Sequence, residues 1–293
     1  MRLPVNMSQQ PDVKGFFDPD SNTISYVVRD PGSTACAVID PVMEFDQAAG
    51  RLTFGCADEM IAHIRDEGLT LEWIIETHVH ADHLSGAPYI QDALGGKIGI
   101  GEHVQTVQDT FGMIFNEGTE FQRDCAHVDA LFADGDTYQI GGITGFAMHT
   151  PGHTPACMVH VIGDAAFAGD TLFMPDGGSA RCDFPGGDAG QLYDSIQRVL
   201  ALPEEMRLFI CHDYGPGGRA ISWETTIGEQ RASNIHVGGG KSREDFIKFR
   251  TERDAQLSVP KLILPSLQVN MRGGEVPTDK DGNMMLKTPV NRL

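Results

Sequence analysis

Residues 77–83 read Thr77-His78-Val79-His80-Ala81-Asp82-His83, three histidines and an aspartate within six positions. On an extended segment, alternation sends His78, His80 and Asp82 to one side, and a turn brings His83 back to the same pocket. Imidazole and carboxylate are the side chains that hold zinc or non-haem iron at neutral pH. A core does not gather four such groups without a charge to satisfy them, because buried polar groups are costly when unpaired. The competing reading is a solvated loop rich in histidine.

Three further segments have the same character. Thr150-Pro151-Gly152-His153-Thr154 puts a histidine in a Pro-Gly turn just after a β-like run, Ala168-Gly169-Asp170-Thr171-Leu172 puts an aspartate after another, and Cys211-His212-Asp213-Tyr214 puts a histidine after a third. Each alone is weak, since histidine serves many roles. Together, in this order, they form a donor set. His63, His103, His127, His149, His160 and His236 lie outside these motifs and read as ordinary core or surface residues.

The surrounding composition limits what the site can serve. The 293 residues carry a formal net charge of -19, which argues against nucleic acid as a partner because phosphate binding needs a basic face. A small anionic substrate stays compatible, since a metal and a few arginines can reverse the potential in one pocket. The six cysteines show no C-x-x-C pair or framework spacing and suggest a reducing compartment. The first residues contain no apolar secretory core, and no apolar run approaches the length of a membrane span. The expectation is a cytoplasmic protein without a membrane partner.

The chain predicts strands and helices in alternation. Residues 23–29 and 34–39 read as paired strands around an Asp-Pro-Gly-Ser turn. Residues 58–66 have a helical face, 71–76 form a short strand leading into the histidines, 87–94 a helix, 97–100 a strand and 104–115 a helix. Residues 137–149 are β-like and broken at Gly141-Gly142; 156–162 and 165–168 form a hairpin signal; 189–202 is helical, 208–211 a buried strand, and 223–235 and 243–255 helices. A body is expected over 1–236, with 237–293 as a helix and an irregular tail whose Leu262, Ile263, Leu264 and Leu267 pack on it.

The ordered set H-x-H-x-D-H, T-P-G-H, G-D and H-D-Y resembles the metallo-β-lactamase superfamily over roughly residues 23–234. That resemblance implies an α+β fold, the αββα four-layer sandwich, with a metal site at one edge of two sheets. Gly178-Ser179-Ala180-Arg181-Cys182-Asp183-Phe184, then Leu192 to Ile196, and His212-Asp213-Tyr214 with Arg219, are similar to the glutathione-dependent persulfide dioxygenase branch; so is the late tract Pro265-Ser266-Leu267-Gln268-Val269-Asn270.

The resemblance implies one Fe(II) per chain on His78, His153 and Asp170, two histidines and a carboxylate with open positions. His80, Asp82, His83 and His212 then orient the ligands and the substrate, or hold a second ion. Tyr214 is placed near the metal, and Arg181 and Arg219 are candidates for ordering the site or holding a substrate carboxylate. Cys182 reads as an inert buried thiol. The implied reaction oxidises glutathione persulfide with O2 to sulfite and glutathione. The alternative on the same residues is a glyoxalase II-like hydrolase of glutathione thioesters with two Zn2+; a third is a metal-binding scaffold without catalysis, which an intact donor set disfavours. The family resemblance allows a homo-oligomer, to which no particular residue points.

Overall fold

The computed structural model describes residues 5–119 and 121–292. In chain order the strands and helices are β1 (Asp12–Asp18), β2 (Thr23–Arg29), β3 (Ala35–Ile39), β4 (Val42–Asp46), β5 (Arg51–Thr53), α1 (Gly55–Asp66), β6 (Thr70–Ile75), β7 (Leu84–Ser85), α2 (Ala87–Leu94), β8 (Lys97–Gly101), α3 (Val104–Ile114) and β9 (Ala130–Phe132). The second half adds β10 (Thr137–Ile140), β11 (Ile143–His149), β12 (Met158–Ile162), β13 (Ala165–Phe167), α4 (Ala189–Leu200), β14 (Arg207–Phe209), β15 (Glu224–Thr226), α5 (Ile227–Ser233), α6 (Arg243–Asp254) and α7 (Ile263–Asn270).

Two six-stranded sheets form, in the orders β1-β2-β3-β6-β8-β9 and β10-β11-β12-β13-β14-β15. Strand alternation explains how they stack. In β2 and β3, Ile24, Tyr26, Val28, Ala37 and Ile39 enter the cluster between the sheets with Ile140, Ile162, Phe167 and Phe209 of the second sheet. The intervening Val27, Cys36 and Val38 face the other way, onto Met60, Ile61 and Ile64 of α1 and Ile90 of α2. The far face of the second sheet buries Phe146, Val159 and Leu208 under Leu192, Ile196 and Val199 of α4, Ile227 of α5 and Phe246 of α6. The layers are therefore helix, sheet, sheet, helix, as the family resemblance implies. α4 is started by Asp188, whose carboxylate accepts from Gln191 N at 2.7 Å.

β3, β6, β8 and β9 run parallel, as do β13 and β14, each pair linked through a helix. β11 is antiparallel to β12 and β12 to β13, so β11 runs with β13 and β14. The carboxyl ends of β3, β6, β11, β13 and β14 consequently meet at one rim. Backbone bonds join the sheets there: Met158 N donates to Thr77 O at 2.8 Å and Ile24 N to Cys211 O at 2.7 Å.

Two sequence expectations change. The stretch 223–235 begins as strand β15 and turns helical only at Ile227, where Thr226 and Glu229 form a capping box. The late tract is helical, not irregular: Pro265 sits in the first turn of α7, where a missing N–H breaks no helical bond. Ile263, Leu267 and Met271 then pack with Val104, Val107 and Phe111 of α3.

Candidate metal centre

The centre is built from the ends of strands. After β3, Asp40 adopts φ +49° and turns its carboxylate inward. It accepts from Thr77 N at 2.7 Å, Thr77 Oγ1 at 2.8 Å and His80 Nε2 at 3.0 Å. After β6, Glu76 Oε2 lies 3.2 Å from the same His80 Nε2, and its other oxygen accepts from Ser85 Oγ. Burial alone lowers the basicity of His80, but Asp40 and Glu76 outweigh it and hold the ring well above the ordinary imidazole range. With Nε2–H committed to carboxylates, only Nδ1 of His80 is left to bind anything else, and among the described residues it has no partner.

After β11, Gly152 takes φ +138°, and a Cβ there would stand 2.3 Å from Leu192 N, so only glycine lets α4 come this close. The turn delivers His153, whose Nδ1 donates to the carbonyl of Arg181 at 2.7 Å and leaves Nε2 free to accept. After β13 comes Asp170. Its Oδ2 lies 3.6 Å from His153 Nε2 and 4.0 Å from His78 Nε2, and its Oδ1 lies 3.2 Å from His212 Nε2. After β14, His212 Nε2 also approaches Asp82 Oδ2 at 3.4 Å, and His83 Nδ1 is 3.5 Å from that oxygen. Thr23 Oγ1 lies 3.2 Å from His83 Nδ1 and 3.3 Å from His212 Nδ1, which turns both Nε2 atoms inward.

All of the set but the half-buried Asp82 is buried: His78, His80, His83 and His212 expose 1% or less, His153 4% and Asp170 8%. Yet, among the described residues, Nε2 of His78, His83 and His212, Nδ1 of His80 and Oδ1 of Asp170 have no hydrogen-bond partner. Such orphaned groups are costly. Burial, with His80 and His153 nearby, pushes His78 well below the ordinary range, so its lone pair is free. Donor atoms bound to one ion at about 2.1 Å lie roughly 3.0–3.5 Å apart, close to the spacings here. The donors of His78, His153 and Asp170 fall within 4.8 Å of one another, as do those of His80, Asp82 and His83. The residues fit a metal.

Beside this cluster opens a cleft of about 630 Å³, walled by Phe173, Phe184, Phe249, Tyr214 and Arg181. Tyr214 stacks on His212, with ring centroids 6.3 Å apart at 18°, and is 61% exposed. Arg181 spends Nε and Nη2 on Asp183 at 2.6 and 2.7 Å and Nη1 on Ser258 O at 2.7 Å. Arg219 binds Asp176 and Asp213 bidentately and Ala220 O, which uses every N–H group it has. Of the two roles expected for Arg219, these bonds favour ordering the loop behind His212 over holding a substrate carboxylate. Cys182 is buried against Asp254, and burial together with that carboxylate pushes its thiol up to about 12.

Sequence reading missed Asp40, Glu76 and Thr23, which carry no local motif, and the role of Asn270. Asn270 Nδ2 donates to the carbonyls of His80 at 2.9 Å and His83 at 2.8 Å, while its Oδ1 accepts from Ser85 N at 2.8 Å. Its tract, Pro265 to Asn270, also carries Ser266 and Gln268, so nothing local singled Asn270 out.

The metallo-β-lactamase superfamily model matches residues 19–212. The chain belongs to the metallo-β-lactamase superfamily. A Burkholderia pseudomallei protein described as a probable metallo-hydrolase is 50% identical over 96% of this chain and 99% of its own length. Glyoxylase B2 of Dictyostelium discoideum is 44% identical over 98% of this chain and 99% of its own. The human mitochondrial persulfide dioxygenase ETHE1 is 29% identical over 91% of this chain and 90% of its own. The crystal structure of ETHE1 from Myxococcus xanthus superposes with a TM-score of 0.72 at 29% identity, covering 90% of this chain and all of that one. No helix among the described residues of this superfamily member is long and apolar enough to cross a membrane.

Proposed function

We propose that this superfamily member is a persulfide dioxygenase, converting glutathione persulfide, dioxygen and water to glutathione, sulfite and two protons at a single iron. The observation that carries the proposal is the convergence of His78 Nε2 and His153 Nε2 on one oxygen of Asp170. Two histidines and a carboxylate on one face suit ferrous iron and leave positions open. Bound there, iron supplies Lewis acidity and the electron transfer that dioxygen chemistry needs. The likeness to ETHE1 in sequence and fold supports the same reading.

The protein's own groups do the rest. Asp40 and Glu76 fix the His80 ring beside His78, whose centroid is 4.0 Å away. The Arg181 carbonyl fixes His153. Phe173 and Phe184 line the approach to the centre with apolar surface and limit water. Tyr214 lines the cleft, and its hydroxyl is a donor for a substrate sulfur or a leaving sulfite oxygen.

A second reading is favoured by the orphaned Nε2 atoms of His83 and His212 beside Asp82: two zinc ions and hydrolysis of a glutathione thioester. The test is oxygen uptake by anaerobically purified, iron-loaded protein given glutathione persulfide. One O2 consumed and one sulfite formed per persulfide supports the first reading. No uptake, with thioester cleavage by the zinc-loaded protein, selects the second.

A further inference from the structure

Behind the histidine loop, on the side away from the metal cluster, the core leaves a space. Val79 and Ala81 alternate in the chain with His78, His80 and Asp82. Where those three join the candidate metal groups, Val79 and Ala81 join the apolar cluster with Val104, Val107 and Phe111 of α3 and Leu267 of α7. Packing there is incomplete. A cavity of about 20 Å³ is lined by Val79, Ala81, Val107, Phe111, Phe184 and Leu267, and by Thr154 and two prolines. Val79, Val107, Phe111 and Leu267 are each buried, so the space lies inside the molecule.

Its wall is apolar. Thr154 supplies the one polar side chain, and that hydroxyl is already bonded to Cys157 Sγ at 3.0 Å and Ala156 N at 3.3 Å. A buried water makes about three hydrogen bonds, and this wall offers side chains for none of them. About 10–15 Å³ is room enough for a molecule the size of water, so the cavity has the size for one small guest and the polarity for an uncharged, apolar one.

The cavity also borders the metal centre. Thr154 directly follows His153, and Ala81 and Phe184 line both the cavity and the cleft. Ala81 presents only a methyl group. Phe184 is half-buried, lies outside any strand or helix, and meets the His153 ring edge-on with centroids 5.4 Å apart. The partition between the two spaces is thus one small residue and one aromatic ring on a loop.

We propose that this cavity is a binding site for dioxygen, and that the gas passes between Ala81 and Phe184 to reach the metal centre. The inference rests on the dioxygenase reading, since a hydrolase has no use for a gas. Dioxygen carries neither charge nor dipole, so an apolar wall admits it while excluding water and anions. A thiol seated in the cleft covers the solvent side of the centre, and a second reactant arriving from the core does not compete with it.

The test combines xenon, an apolar gas that marks such cavities, with oxygen kinetics. Val107→Ile adds one methyl group to the wall from α3, which supplies no residue of the metal cluster. Phe111→Leu enlarges the same space. Xenon-pressurised crystals should show the gas in wild type and in Phe111→Leu, and none in Val107→Ile. In the iron-loaded protein, Val107→Ile should raise KM for oxygen about threefold, with KM for glutathione persulfide and kcat at saturating oxygen unchanged. An empty cavity in xenon-pressurised wild type overturns the gas site. Equal KM for oxygen in wild type and Val107→Ile overturns the route. Xenon bound in a wild type that takes up no oxygen would overturn the dioxygenase reading and the route with it, and leave the gas site standing.

Discussion

The side-chain amide of Asn270 donates to the carbonyl of His83 at 2.8 Å, across 187 residues of sequence. With its bonds to His80 O and Ser85 N, it makes the end of α7 a clamp on the histidine loop. Replacing it by alanine strands three buried backbone groups. Asn270→Ala should cost about 3 kcal/mol of stability, since each orphaned group costs ~1–3 kcal/mol. It should also weaken metal binding by about tenfold or more, as loss of ligand-orienting partners does. Urea unfolding and a competitive chelator titration measure the two effects. Unchanged metal affinity would mean the loop holds its shape without α7.

Arg219 spans Asp176 and the buried Asp213, 2% exposed, the residue that follows His212. Arg219→Gln leaves Asp213 with the Ser222 N–H at 2.8 Å and little else to offset its charge. A loss of about 3 kcal/mol is expected for breaking such a pair. Because no donor of Arg219 is free for substrate, kcat should fall with the loosened His212–Tyr214 segment while KM changes less than twofold, a split read from steady-state kinetics. A selective rise in KM would return Arg219 to substrate binding.

Gly152→Ala places a methyl where the α4 backbone already stands. The strand end must move, and His153 with it. The expectation is destabilisation by about 2 kcal/mol or more, together with reduced metal content, checked by thermal melting and elemental analysis. Wild-type metal content would show that the turn is not what positions His153.

His160 lies fully buried between the sheets, its Nδ1 3.0 Å from the Tyr138 hydroxyl and its Nε2 unpartnered among the described residues. Burial lowers its pKa from 6.5 to about 4. Because the folded value is the lower one, the unfolded chain takes up the proton first as pH falls. This contribution to stability is complete above pH 6.5 and is lost progressively between 6.5 and about 4. The shift corresponds to roughly 3 kcal/mol at most. Denaturant midpoints followed from pH 7.5 to 4 should therefore fall more steeply for wild type than for His160→Gln. Parallel curves would contradict it.

The layered fold was legible because its strands alternate and its ligand motifs sit at strand ends. Val27, Cys36 and Val38 against Ile24, Tyr26 and Val28 show how period two encodes two buried faces at once. α7 was not legible, since an apolar tract with proline in its first turn looks irregular until tertiary packing shows which bonds the proline spares. The residues that converge, His78, His80, Asp82, His83, His153, Asp170 and His212, were all readable, being carried by local motifs. The groups that aim them were not. Asp40, Glu76, Thr23 and Asn270 act through contacts made only after distant strands meet, and a lone acid, hydroxyl or amide carries no local signature. Arg219 sat in a recognisable segment, but its carboxylate partners on either side could not be assigned without coordinates.

The proposed function stands on one iron held by His78, His153 and Asp170. Its most direct test is the iron content of anaerobically reconstituted wild type and of the alanine variants of His78, His153, Asp170, His83 and His212. One iron per chain in wild type, lost in the first three variants and kept in the last two, is the predicted result. Two ions per chain, with equal loss on removing His83 and His153, would contradict it.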